Sequence, residues 1–175
     1  MMEAKKATKK NTFGIIVMIA AGVAVLIGIV AAIVFLVGGQ AKTRDGSIVE
    51  FSFGHGSGMG GDVQYTLKRQ DNLALLSINR TGPLFSKGGD VKKTVDGKYL
   101  DRLADIINEN EVVRWDGFDR SDNGVLDGGG FVLKVTYDDG KTIEAHGYMM
   151  FPDNYDVVSD KFEELFSEIE KSINN

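Results

Sequence analysis

Residues 130–146, GFVLKVTYDDGKTIEAH, decide the fold of this chain. Apolar and polar side chains alternate from Gly130 to Tyr137, and Asp138-Asp139-Gly140 leads into a second alternating stretch, Lys141 to His146. Alternation with a period of two is typical of strands with one solvated face, and a short glycine-containing connection is typical of a hairpin. The stretch predicts two antiparallel strands. The side chains predicted on the buried side of the first strand are Phe131, Leu133, Val135 and Tyr137.

Three further strands are predicted upstream of this hairpin, at 48–53, 63–69 and 73–79, because each combines β-branched or aromatic residues with polar neighbours. The glycine-rich segment 54–61 is predicted to be the loop between the first two. Together the three strands predict an antiparallel meander, which brings the sheet to about five strands.

Two helices are predicted from apolar residues at helical spacing. The first runs over 98–110 with Asp96 as N-cap, and the second begins after Pro152 and ends near Ile173. The apolar stripe of the second helix consists of Val158, Phe162, Leu165, Phe166, Ile169 and Ile173. The order of elements predicts an α+β domain, an antiparallel sheet with two helices packed on one face.

An uncharged run from Phe13 to Val37 precedes this domain. At ~1.5 Å per residue its 25 residues reach ~37 Å as a helix, which is enough to cross a bilayer core of ~30 Å. Four lysines before the run predict a cytoplasmic N-terminus. We therefore expect a basic cytoplasmic tail at 1–12, a single transmembrane helix at 13–38, a linker at 39–47 and an extracytoplasmic domain at 48–175.

Two features of the anchor leave alternatives open. Small residues at its end, Gly38, Gly39 and Ala41, permit cleavage as in a signal peptide, although the apolar run is longer than the ~7–15 residues usual there. Small residues also recur every four positions, a pattern that lets two membrane helices approach closely and predicts a possible homodimer. These residues are Ala20, Ala24, Gly28 and Ala32.

Charge excludes some partners. Beyond residue 12 the chain has 16 basic and 24 acidic residues, a net charge of −8, which repels phosphate backbones. Nucleic acid is therefore not expected as a partner. The chain has no cysteine, so the domain folds without disulfides.

Residues 112–166 contain a string of short motifs: Trp115-Asp116-Gly117-Phe118, Asp127-Gly128, the alternating strand from Gly130, and Pro152-x-Asn154-Tyr155. This string resembles a pattern in uncharacterised membrane- or lipid-anchored extracytoplasmic domains of Gram-positive bacteria. The resemblance implies a bacterial membrane protein and implies no activity.

The glycine-rich segment is the first candidate ligand site, because consecutive glycines let backbone N–H groups converge on a ligand. A phosphate-binding loop would open a helix, whereas a strand is predicted to follow here. The candidate ligand-contacting residues are His55, Gly56, Ser57, Gly58 and Met59. The alternative is a plain connection between strands.

The segment 119–127 is the second candidate, because its oxygen-bearing side chains have the spacing of a calcium loop, with glycine at the sixth place. The candidate calcium ligands are Asp119, Ser121, Asn123, Val125 and Asp127. Gly130 occupies the twelfth place, where calcium loops carry a bidentate Glu. The alternative is that Asp, Ser, Asn and Gly are the residues a tight loop requires.

These observations predict a membrane-tethered extracytoplasmic binding or accessory module, without enzymatic activity, whose partner is a protein or an envelope component. Two alternatives stay open: a calcium-dependent envelope-binding module, and a small glycan hydrolase that uses the acids near Trp115. A pair of carboxyl groups ~5–9.5 Å apart would be needed for hydrolysis, and an exposed Trp115 could stack on the sugar. No other cofactor is expected.

Overall fold

The computed structural model describes residues 43–57, 60–83, 90–122, 124 and 127–174. They belong to one compact unit, Lys42–Asn175. The predicted anchor at 13–38 and its small-residue stripe, Ala20, Ala24, Gly28 and Ala32, lie outside the described residues. Within the described part, no helix is long and apolar enough to cross a membrane.

A seven-stranded sheet forms the body of the domain, in the order β4-β3-β2-β1-β6-β7-β5. All neighbours pair antiparallel except β5 and β7, which are parallel. The strands are β1 (Ile48–Ser57), β2 (Gly61–Gln70), β3 (Leu73–Thr81), β4 (Val91–Asp96), β5 (Phe118–Ser121), β6 (Gly129–Tyr137) and β7 (Thr142–Tyr148). The predicted hairpin is thus confirmed as β6 and β7, and the predicted meander as β1 to β3.

Alternation along the strands places the large apolar side chains on one face of the sheet. Phe51 of β1 opposes Leu67 of β2 and Val135 of β6, and all three are fully buried. The next row on this face joins Phe53 to Leu133 of β6. This buried face, rather than intrinsic strand propensity, fixes the register, because a slip by one residue would turn every apolar side chain to solvent.

Both helices cover this same face. Helix α1 (Lys98–Glu109) buries Tyr99, Leu100, Leu103 and Ile107, and helix α2 (Tyr155–Asn174) buries the predicted stripe from Val158 to Ile169. Phe162 of α2 contacts both Phe51 and Phe53, with ring centroids 5.0 and 5.2 Å apart. The side chains of α1, α2 and the buried sheet face form a single core. The predicted α+β class with two helices is thus confirmed.

Three predictions about the elements were incomplete or wrong. The sheet has seven strands rather than five, because β4 and the four-residue β5 were missed. The predicted loop at 54–61 is mostly strand, since β1 continues to Ser57 and β2 begins at Gly61. The N-cap position of α1 is Gly97 rather than Asp96, although Asp96 Oδ1 accepts the N–H of Lys98 at 2.9 Å.

Candidate ligand-binding groove

The face of the sheet turned away from the helices, here called the open face, contains a hollow of about 410 Å³. Three glycines form its floor: Gly54 and Gly56 on β1 and Gly130 on β6. They lie on the open face because they alternate with the buried side chains of their strands. Bare backbone therefore replaces side chains across the two central strands, and this hollow is the groove of the following paragraphs.

The side walls of the groove come from the flanking strands. On β2, Gln64 pairs with Gly54 and Asp62 pairs with Gly56. On the other side, β7 contributes His146 and Tyr148, which pair with Val132 and Gly130 of β6. Neighbouring strands are about 4.8 Å apart, so the two walls, three strand spacings apart, stand about 14 Å from each other.

The glycines of the floor differ in how much room each has for a side chain. A Cβ added at Gly56 would lie 2.6 Å from the carbonyl oxygen of Gly61, and one at Gly130 would lie 3.0 Å from that of Gly147. A Cβ at Gly54 would meet nothing closer than Cγ of Gln64 at 3.7 Å, an ordinary van der Waals contact. Packing thus accounts for glycine at Gly56 and Gly130 but not at Gly54.

His146 is held by a carboxylate on the neighbouring strand. Its Nδ1 lies 3.2 Å from Oδ1 of Asp119, which pairs with it in the parallel β5–β7 register. In a neutral imidazole with Nδ1–H donated to Asp119, Nε2 is an acceptor. The imidazole is half exposed, so this acceptor is accessible to a ligand.

The opposite wall also offers oxygen acceptors. Gln64 donates its Nε2 to Oγ of Ser52 at 3.1 Å, which fixes the amide and leaves Oε1 as its acceptor. A Cβ added at Gly56 would lie 2.1 Å from Oδ1 of Asp62, so this carboxylate lies against the glycine floor. Within the described ranges, no Lys or Arg forms an ion pair with Asp62.

A second hollow of about 340 Å³ adjoins the groove on the same face, with Val132 and His146 lining both. Its remaining charged residues include Lys134 and Glu144, which form an ion pair at 2.7 Å. Val132 is 51% exposed although it is apolar. The open face therefore presents two connected depressions on either side of a half-exposed valine and histidine, a shape suited to an extended ligand.

The candidate ligand loop is only partly in this site. Gly56 lines the groove with its backbone, whereas His55 points to the helix side, stacked between Phe53 and Tyr65 with ring centroids 5.3 and 6.2 Å away. No described group hydrogen-bonds the buried Nε2 of His55, and a carboxylate oxygen of Glu163 lies 3.5 Å from it.

On that helix side, His55, Gly56 and Ser57 line a separate hollow of about 390 Å³ that also contacts Phe151 and Tyr155. Gly58 and Met59 lie outside the described residues. The prediction of a loop is thus wrong for His55, Gly56 and Ser57, which belong to strand β1. These strand residues contribute to two hollows on opposite faces of the sheet.

The structure describes three of the five candidate calcium ligands. Asp119 and Ser121 belong to β5, Asp127 lies two residues before β6, and Asn123 and Val125 lie outside the described residues. Oδ1 of Asp122 accepts the N–H of Gly124 at 3.0 Å, as expected of a tight turn. No group of three or more His, Asp or Glu side chains arranged for a metal occurs among the described residues, and the calcium site stays a prediction.

Trp115 offers no surface for a sugar. Its side chain belongs to the core, 3% exposed, and its Nε1 donates to Oδ1 of Asn154 at 2.9 Å. The neighbouring Asp116 accepts the backbone N–H of Glu144 through Oδ1 at 3.1 Å. The hydrolase hypothesis thereby loses its sugar-stacking platform, and the pair of carboxyl groups on which it rests stays untested.

No protein-family model matches this chain, and no curated protein is significantly similar to it. The resemblance of residues 112–166 to anchored proteins of Gram-positive bacteria therefore stays a prediction. The interpretation of the site rests on its geometry alone.

Proposed function

We propose that this protein is a non-enzymatic binding module, tethered to the cytoplasmic membrane by residues 13–38 with its domain outside the cell, and that the groove holds its ligand. The uncharged run and the lysines before it support the tether. The concave, partly apolar shape of the groove, with a few polar groups on its walls, supports the binding role.

The observation that carries the proposal is Gly54. Glycine within a strand is destabilising by roughly 0.5–1 kcal/mol relative to alanine, because the unfolded chain has more freedom to lose. Space for a Cβ exists at this position. A residue that lowers stability without a packing reason is typical of a site where a ligand approaches the backbone closely.

The test is a methyl NMR titration of the full-length chain in detergent, with Val132 as the reporter in the groove. The probes are acetylated and amidated tripeptides, Ala-Lys-Ala and Ala-Ala-Ala, and the trimer of N-acetylglucosamine. We expect at least one probe to shift the Val132 methyl resonances, and Gly54→Thr to abolish the shift because its side chain fills the floor.

A matched control is Ser77→Val on β3. Ser77 lies on the same open face but does not line the groove, so this variant adds a β-branched side chain without closing the site. Equal titration curves for the wild type and Gly54→Thr would contradict the proposal, as would the absence of any shift at Val132 with all three probes.

A further inference from the structure

The described residues that line the groove supply hydrogen-bond acceptors and include no Lys or Arg. The polar side chains that line it are Asp62, Gln64, His146 and Tyr148. With both lining histidines, His55 and His146, neutral, Asp62 carries the only formal charge among these described residues. An anionic ligand would meet the carboxylate of Asp62, which no described Lys or Arg pairs, so charge complementarity favours a cation.

The groove offers three acceptors, and a neighbouring side chain holds two of them in place. Ser52 fixes the amide of Gln64 and leaves Oε1, Asp119 fixes the imidazole of His146 and leaves Nε2, and Asp62 offers its carboxylate beside Gly56. A primary ammonium has three donors and no acceptor. Asp62 and Gln64 share the β2 wall, whereas His146 stands on the opposite wall, about 14 Å away, and is left to accept from other N–H groups of the ligand. The donor set of an ammonium therefore matches the β2 wall better than a hydroxyl or a carboxylate, both of which bring acceptors.

The apolar parts of the groove suit the stem of such a ligand. The floor is backbone at Gly54 and Gly130, and Val132 exposes half of its side chain beside it. A lysine-type side chain lays its methylene stem along apolar surface and keeps its charged end with polar partners. The second hollow beyond Val132 provides room for the chain that carries this side chain.

We infer that the ligand of the groove is a peptide carrying a lysine-type side chain, whose ammonium group pairs with Asp62 while its stem crosses the glycine floor. This inference rests on the proposed function, since it names the ligand class of the same site. The carboxylate of Asp62 supplies the selectivity for charge, and Gly54 supplies the space.

The test compares two peptides that differ in charge alone, Ala-Lys-Ala with blocked ends and its Nε-acetyl-lysine counterpart, titrated into the full-length chain in detergent. We expect the lysine peptide to bind at least tenfold more tightly, and Asp62→Asn to remove that difference. Asp71→Asn is the control, because Asp71 lies in the β2–β3 turn with φ +54°, a conformation that Asn also adopts.

The outcomes separate this inference from the proposed function. Equal affinity for the two peptides, or an undiminished preference in Asp62→Asn, overturns the ammonium assignment. If the neutral peptide or the sugar trimer then still shifts Val132 and Gly54→Thr abolishes that shift, the groove stands as a binding site for another ligand class. If no probe shifts Val132, both proposals fail.

Discussion

Gly54 faces Gln64 across the β1–β2 pair, and a Cβ added at Gly54 would lie 3.7 Å from Cγ of Gln64. There is space for a Cβ at this position, yet the residue is glycine. We expect Gly54→Ala to stabilise the domain by about 0.5–1 kcal/mol, because alanine reduces the freedom of the unfolded chain. Urea unfolding of the full-length chain measures the change. Destabilisation would mean that packing does require glycine here, and the functional argument would lose its basis.

We expect the contact with Asp119 to fix the tautomer of the His146 imidazole. Because Oδ1 of Asp119 is 3.2 Å from Nδ1 of His146, we expect ¹⁵N NMR at a pH where the ring is neutral to show the proton on Nδ1. Asp119→Ala should shift protons to Nε2 and weaken binding of the lysine peptide, since an acceptor in the groove becomes a donor. A ring that is unchanged in Asp119→Ala would remove His146 from the recognition scheme.

Asn154 joins the segment after α1 to the start of α2. Its Oδ1 accepts from Nε1 of Trp115 at 2.9 Å, and its Nδ2 donates to the carbonyl of Asn110 at 2.7 Å. Asn154→Leu leaves the buried indole N–H without its acceptor, and we expect a loss of about 1–3 kcal/mol in unfolding free energy. Denaturant unfolding tests this.

The control for this variant is Arg102→Gln, which removes an exposed ion pair between α1 and α2, with Glu168 at 2.6 Å. Exposed pairs contribute little, so its midpoint should shift less than that of Asn154→Leu. A larger shift for Arg102→Gln would show that the ion pair, and not the Asn154 bridge, secures the two helices.

Burial raises the pKa of Tyr155 to about 12. The tyrosine of the unfolded chain titrates near 10, so the folded state holds this proton more tightly. The stability of the fold is therefore unaffected by Tyr155 below about pH 10 and falls as the pH rises from about 10 toward 12. Absorbance at 295 nm and circular dichroism against pH measure both events. Tyr155→Phe should lose less stability over this interval, and identical alkaline profiles would contradict the assignment.

The proposed membrane tether predicts that alkaline carbonate leaves the full-length protein in the membrane pellet, since ~20 apolar helical residues anchor stably. Deletion of residues 13–38 should move the protein to the supernatant. Release of the full-length chain by carbonate would refute the anchor.

How far the sequence predicted the fold depended on the strength of each pattern. The hairpin at 130–146 and the stripe of α2 were found because many buried side chains repeat at one period. β4 was missed because Val95 is its single buried residue, and β5 because four residues cannot display a period. Both are edge strands, where pairing depends on the neighbouring strand more than on their own side chains.

The site was harder to predict, because it combines glycines on two central strands with side chains on two flanking strands, and the sequence did not reveal the order of these strands. Gly54 and Gly56 were interpreted as loop residues, whereas they continue the alternation of Phe51 and Phe53 on the opposite face. Two glycines spaced by two could have indicated a bare strip. Their juxtaposition with Gly130 and His146 required the β1–β6–β7 register.

The most direct test of the binding role is an intermolecular NOE measurement between the lysine tripeptide and the methyl groups of the full-length chain. Three exposed apolar residues serve as reporters: Val132 in the groove, Leu73 on β3 and Val157 on α2. We predict NOEs from the methylene protons of the peptide to Val132 and none to Leu73 or Val157. NOEs to Leu73 or Val157 without any to Val132 would place the ligand elsewhere and contradict the groove as the binding site.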